Sequence, residues 1–270
     1  MIATARFERR TTTSDGVDIV WFDYGQPDGP AMMIVHGMGA GSDQFDADAR
    51  FFAAKGFRVI VPDLRGHCRS GRAPETSYTL ERMARDLLEV LADAGCDAVD
   101  YVGNSLGGIL ALFLVKDHGR RFRTLTMFGT APALDLPGLT PSLLPLTYRL
   151  MGKRAVGWLT ARGTTPSAEG RAVIGPLVRD FDPGVALAVG RAVRRYDLTA
   201  NALGFGGPLL IIRGANDRAV NRALDPKLKA LEQKPNVSVI RLDRAGHCAN
   251  LDQPEAFRQA VLDFVSGKGG

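Results

Sequence analysis

A chain of 270 residues, 45% hydrophobic and 23% charged, suits one α/β domain with a sizeable core and excludes global disorder. The formal net charge of +5 is spread along the chain, with no lysine-rich tail and no zinc-type cysteine spacing, which argues against nucleic-acid binding. Three cysteines form no disulfide framework, residues 1–10 lack an apolar core of signal-peptide length, and no apolar run approaches the ~20 residues of a membrane-spanning helix; a cytoplasmic location with no membrane partner is expected.

Residues 6–13 and 17–24 read as two strands joined by the turn Ser14-Asp15-Gly16. Ala31-Met32-Met33-Ile34-Val35 is a continuous apolar run, as expected of a strand buried on both faces. Ser42 or Asp43 can cap a helix carrying Phe45, Phe51 and Phe52. A strand over 57–61 and an amphipathic helix over 79–94 follow, the latter with Leu80, Met83, Ala84, Leu87, Leu88 and Leu91 on one face. The apolar run ending at Gly103 and the apolar stretch 109–115 predict a strand and a buried helix around Gly103-Asn104-Ser105-Leu106-Gly107. Another strand is predicted over 122–128.

The alternation of strand and helix then breaks. Between Pro132 and about Gly207 prolines punctuate short helical patterns at 142–151, 153–161, 167–179 and 184–195. It resumes with a strand at 208–213, a helix at 221–232, a strand at 237–242 and a helix at 254–265. The alternation predicts a mostly parallel sheet with helices on both faces. It also predicts a division into a core, 1–132 and 207–270, and a helical cap, 133–206.

The chemistry-bearing residues fall in loops at the predicted carboxyl ends of strands, where open α/β sheets place their sites. Ser105 sits in Gly-x-Ser-x-Gly between strand and helix, the pattern of a nucleophile elbow. A serine hydroxyl needs a base to take its proton. Of the four histidines, His118 is near a helix C-terminus, His36 beside a glycine cluster has a backbone-ordering role, and His67 reads as structural. His247, in the loop between the last strand and the last helix, is the candidate base. Asp217, in the loop after strand 208–213, is the candidate acid, and its bland reading is a helix cap. Asp243 is the rival. The order Ser, Asp, His completes a triad pattern. The backbone N–H groups of Leu106 and Met38 are the candidate oxyanion donors, with glycines that let the backbone approach a substrate.

Taken together, His36-Gly37-Met38-Gly39, Pro62-Asp63-Leu64-Arg65-Gly66-His67, Gly103-Asn104-Ser105-Leu106-Gly107-Gly108, Gly214-Ala215-Asn216-Asp217 and Gly246-His247 resemble the α/β-hydrolase superfamily. The resemblance implies an eight-stranded, mostly parallel sheet whose second strand is antiparallel, and a helical cap inserted after the sixth strand. It implies a serine hydrolase with Ser105, Asp217 and His247 as its triad, a small-molecule substrate, and neither cofactor nor metal. His36, Gly37 and Asn104 are candidates for substrate contact. A serine at the elbow speaks against dehalogenases and epoxide hydrolases, which carry aspartate there.

An ester or lactone hydrolase stands first on this reading. Gly103-Asn104-Ser105 also resembles the elbow of carbon–carbon bond hydrolases, which hold a substrate carboxylate with a cap arginine. Arg191, Arg194 and Arg195, on one predicted helix, could serve that role. Two departures weigh against it: Cys248 follows the base where those enzymes usually have tryptophan, and the His36–Gly39 loop lacks their glycine-proline-glycine. A small-molecule binding protein, or a cofactor-independent lyase or oxygenase, is the remaining reading. A homodimer stays open.

Overall fold

The computed structural model describes residues 5–136 and 144–267. Its main sheet has eight strands: β1 (Arg6–Thr12), β2 (Asp18–Tyr24), β3 (Ala31–Val35), β4 (Arg58–Pro62), β5 (Val99–Asn104), β6 (Phe122–Phe128), β9 (Leu209–Gly214) and β10 (Val237–Leu242). Their order across the sheet is β1-β2-β4-β3-β5-β6-β9-β10. Strand β2 runs antiparallel to both of its neighbours, and every other pair is parallel.

The period-2 geometry of the strands divides the core in two. Met33, Val35, Tyr101, Met127 and Ile211 face helices α2 (Leu80–Asp93), α3 (Leu106–His118) and α8 (Arg218–Glu232). Their sequence neighbours Met32, Ile34, Val102, Phe128 and Leu210 face α1 (Asp46–Ala54) and α10 (Pro254–Val265) on the other side. Every residue of β3 and β5 is buried, which explains why the β3 run is apolar throughout rather than alternating. Helix α2 begins where the Thr79 hydroxyl accepts the Arg82 N–H, and it buries Met83, Leu87, Val90 and Leu91. A buried leucine of this kind contributes about 1.5–3 kcal/mol.

The loop after β4 is pinned from below. The Arg65 guanidinium is fully buried and donates to both oxygens of Asp86, at 2.5 and 2.6 Å, and to Asp15. The fork geometry of arginine suits this double acceptor, and burial of the cation is tolerable because each charge has a partner.

Between β6 and β9 the chain leaves the sheet. The described part of this insertion holds β7 (Ala133–Asp135), α4 (Leu144–Thr164), α5 (Ala168–Asp180), α6 (Pro183–Val193), β8 (Arg195–Asp197) and α7 (Thr199–Gly204). Residues 142 and 143 of the first helix predicted here lie outside the described residues. The break expected between the helices predicted at 142–151 and 153–161 falls at Gly152, whose φ of 76° and ψ of 155° leave the helical region; the two helices abut there and are labelled together as α4.

The helix predicted over 184–195 ends at Val193, and Arg195 belongs instead to a strand. Strands β7 and β8 pair antiparallel as a short ribbon, tied off where the Leu136 N–H donates to Arg194 O and the Leu198 N–H to Pro132 O. Three exposed or half-buried residues per strand give no alternating apolar signal, so the ribbon is invisible to a periodicity argument.

Candidate functional site

The parallel strands β3, β5, β6, β9 and β10 end at one edge of the sheet, and the candidate residues gather there. Ser105 stands between β5 and α3 with φ 50° and ψ −113°, a conformation that a residue with a Cβ rarely adopts. Neighbouring backbone holds it there: the Ser105 N–H donates to Phe128 O at 3.0 Å, and its carbonyl accepts from Ile109 N at 3.0 Å. The elbow is also tight enough to require glycine. A Cβ on Gly103 would strike the Gly107–Gly108 peptide, and one on Gly107 would strike the Val35 carbonyl. Leu106 opens α3, so its N–H is among the first-turn donors that lack an intrahelical partner.

The loop after β3 lies against the elbow. A Cβ on Gly37 would come within 3.0 Å of the Ser105 Cβ, which places the His36–Met38 backbone beside the serine. The Met38 side chain is exposed. His36 is fully buried: its Nδ1–H donates to Gly37 O at 2.7 Å and its Nε2 accepts the Leu64 N–H at 2.9 Å. Both ring nitrogens are thus engaged by backbone, so His36 orders two loops. The expectation of a substrate contact is corrected, because no ring nitrogen is left for one.

His67 lies against His36, ring centroids 5.0 Å apart, and stacks on Phe181 at 4.5 Å. Burial holds both rings in the neutral form, pushing His36 down to about 4 and His67 down to about 3. Since these values lie below the ~6.5 of an unfolded histidine, the stability they confer is complete above pH 6.5. It is lost as pH falls from there toward the folded values. Each ring should contribute a loss of about 2 kcal/mol between pH 7 and pH 5. Urea unfolding of His67→Phe, which keeps the stack on Phe181, should show a pH dependence shallower than the parent by about that amount. An unchanged pH dependence would contradict the assignment.

Asp217 ends the loop after β9 and serves two groups at once. One carboxylate oxygen caps α8 by accepting the Val220 N–H at 3.4 Å, and the other lies 2.8 Å from His247 Nδ1. A carboxylate only accepts, so this contact selects the neutral tautomer that carries its proton on Nδ1 and its lone pair on Nε2. The bland helix-cap reading and the acid reading therefore both hold for this residue. Asp243 is exposed and ion-paired with Arg241 at 3.0 Å, outside this arrangement.

His247 lies in the loop between β10 and a short helix, α9 (Ala249–Asp252). Its backbone N–H donates to Thr164 O at the end of α4, 2.8 Å, and its carbonyl accepts from Asn104 Nδ2 at 3.1 Å. Asn104 is buried, and its amide also donates to Phe128 O and accepts from Gln44 Nε2 at 3.2 Å. Its polar atoms are spent on the protein, so the expected substrate contact becomes a positioning role for the His247 loop. Gln44 in turn reaches Asn250, and Asn250 reaches Asp48, which Arg258 neutralises at 2.7 Å. This buried chain of polar groups runs beneath the elbow and was not foreseen. Its only sequence signal is a set of polar residues within otherwise apolar segments.

The three arginines do not share one helix. Arg191 on α6 is ion-paired with Glu75, Arg194 caps the end of that helix, and Arg195 on β8 lies 3.7 Å from Asp135. None of these pairings includes Ser105, Asp217 or His247. Among the described residues no cluster of three His, Cys, Asp or Glu is placed to hold a metal ion.

Comparison with known proteins agrees with this architecture. Residues 30–254 match the family model of the alpha/beta hydrolase fold. The bifunctional esterase/perhydrolase DCH of Acinetobacter calcoaceticus is 39% identical over 97 residues, 36% of this chain and 35% of that one, so the match spans about a third of either protein. The non-heme chloroperoxidase of Streptomyces lividans is 26% identical over 276 residues, covering 94% of this chain and 98% of its own. Among solved structures, the enol-lactonase from Burkholderia xenovorans LB400 superposes with a TM-score of 0.85 at 22% identity, over 96% of this chain and 100% of that one, a likeness of fold. With its sheet order and more than four-fifths of its length within the family model, the chain belongs to the alpha/beta hydrolase fold family.

Proposed function

We propose that the protein is a serine hydrolase that cleaves a small carboxylic ester or lactone through an acyl-enzyme on Ser105. The observation that carries this reading is the pairing of two features at one sheet edge. A serine is held in strained geometry at the start of a helix, and an Asp217–His247 hydrogen bond of 2.8 Å fixes an imidazole with a free Nε2. In this reading His247 takes the Ser105 proton as the hydroxyl attacks the acyl carbon, and returns it to the leaving oxygen. Water then repeats the cycle on the acyl-enzyme. The Leu106 and Met38 N–H groups receive the developing oxyanion, Leu106 with the positive end of α3 behind it. The helices between β6 and β9 act as the cap. The relatives' names span esterase, perhydrolase and chloroperoxidase, so the reading leans on the site more than on the names.

A panel of short neutral esters and lactones, with an acidic ring-fission keto acid alongside, tests this. Neutral esters should be turned over, and a fluorophosphonate should add to Ser105 and to no other residue. Replacing Arg191, Arg194 or Arg195 by alanine should leave kcat/KM for neutral esters within about twofold, since exposed ion pairs such as those of Arg191 and Arg195 contribute about 0–1 kcal/mol and to stability rather than to the reaction. Fast cleavage of the keto acid, no turnover of neutral esters, and a large KM increase in any one arginine variant would reverse the reading in favour of carbon–carbon bond hydrolysis.

A further inference from the structure

Eight large hydrophobic side chains are exposed among the described residues, and five of them lie on α4: Leu146, Leu150, Met151, Trp158 and Leu159. Leu150 is 74% exposed and Trp158 58%, values far from those of a packed helix. Their placement is regular. In the first half of α4 Tyr148 is buried, and Leu146 and Leu150, two residues either side of it, project from the opposite face. In the second half Val156 and Ala161 are buried, and Trp158 and Leu159 turn outward. The kink at Gly152 separates the two halves without burying either apolar face.

The charge on the same helix has one sign. Arg149, Lys153, Arg154 and Arg162 are exposed, and the sequence from Leu144 to Thr164 contains no acid. The Arg162 guanidinium lies 4.9 Å from the Trp158 ring. Beside Trp158 an open cleft of about 300 Å³ between α4 and α5 is lined by Arg154, Arg171 and Arg179. Arg171 donates to the Pro166 carbonyl, and Arg179 pairs with Asp180, whose carboxylate also lies in the field of Lys153. That acid is thereby already neutralised and does not cancel the basic face.

Exposed Trp and Leu flanked by Lys and Arg on one helix is the composition of a segment that lies in the plane of a membrane interface. From this we infer that α4 docks the protein on the surface of an anionic phospholipid bilayer, with Leu146, Leu150, Trp158 and Leu159 entering the headgroup boundary and the four basic residues meeting lipid phosphates. The expectation of no membrane partner rested on the lack of a spanning segment, and interfacial docking needs none. A second copy of the chain is a poorer occupant, because this basic face would have to meet itself. The inference does not depend on the reaction proposed above.

The test uses the full chain with phosphatidylglycerol vesicles and, separately, phosphatidylcholine vesicles, read by co-sedimentation and by tryptophan emission. The chain has two tryptophans, and Trp21 is buried with its Nε1–H donated to Thr11, so a blue shift on adding vesicles reports Trp158. Binding and a blue shift are expected with phosphatidylglycerol, weakening as salt rises. Each basic side chain near an anionic surface should be worth about fivefold in partitioning, so Lys153→Glu with Arg154→Glu should weaken it by about 25-fold or more. Leu150→Asp should also weaken it, with the thermal melt unchanged because the residue is exposed. Equal binding to both vesicles, no binding to either, or binding unchanged in these variants overturns the inference. So does a dimer in sedimentation velocity that Leu150→Asp dissolves. The emission shift of the unaltered protein keeps the test decisive should a variant fail to fold.

Discussion

Ser105→Ala is expected to lower kcat on a short ester by about 10⁶-fold, His247→Ala by a similar factor, and the double variant by no more than either alone. The three numbers belong together. A hydroxyl without a base is a poor nucleophile, and a base without the hydroxyl has no proton to take, so removing either removes the same step. Activity of about 10³–10⁴ over water should remain, supplied by binding and by the backbone donors at Leu106 and Met38. Alanine keeps the Cβ and removes only the hydroxyl oxygen, so the elbow keeps its backbone strain and the fold is retained. Ser105 is half-buried, and the contacts that hold it are backbone hydrogen bonds to Phe128 and Ile109, which alanine also makes. Stopped-flow or steady-state rates with matched melting curves check this. Ester turnover by Ser105→Ala at near the parent rate would remove the covalent step from the mechanism.

What could be read from sequence follows from locality. The elbow, the loop ends and the buried core strands are announced within ten residues of themselves, by an apolar run, a glycine or a turn residue. The antiparallel hairpin β1–β2 is of this kind. Interactions between residues far apart in sequence are not. Gln44, Asn104 and Asn250 meet in one hydrogen-bonded chain although 60 to 206 positions separate them. No period links them, and nothing near Asn104 in sequence marks it as a partner of Gln44 or of the His247 loop. The β7–β8 ribbon has the same cause, since its two strands are brought together by the chain returning from the insertion. The arginines of α6 and β8 illustrate a third limit. Spacing placed them on one helical face, but the helix ends two residues early, and Glu75 and Asp135 supply local partners that spacing does not reveal. Asp217 shows the converse. Its cap and its contact with His247 use different oxygens of one carboxylate, so two readings that competed in sequence are compatible in space.

That dual role makes Asp217→Asn the sharper probe of the acid. Asparagine is as good a helix cap as aspartate, and its carbonyl can still accept the Val220 N–H, so α8 keeps its first turn. The other end of the amide then faces His247 Nδ1 with a donor. The imidazole answers by moving its proton to Nε2, which can no longer take the proton of Ser105, and the positive ring formed during attack loses its carboxylate. A fall in kcat on the order of 10⁴-fold is expected, with the melting temperature nearly unchanged. Asp217→Ala should lose activity comparably and also lose the cap, about 0.5–2 kcal/mol of stability by urea unfolding. The difference between the two variants separates the structural oxygen from the chemical one. Asp243→Asn is the control: its carboxylate is exposed and paired with Arg241, and the change should be silent in both assays. A silent Asp217→Asn beside a crippled Asp243→Asn would move the acid to the loop after β10. The 2.8 Å contact between Asp217 and His247 would then have to be a structural bond alone.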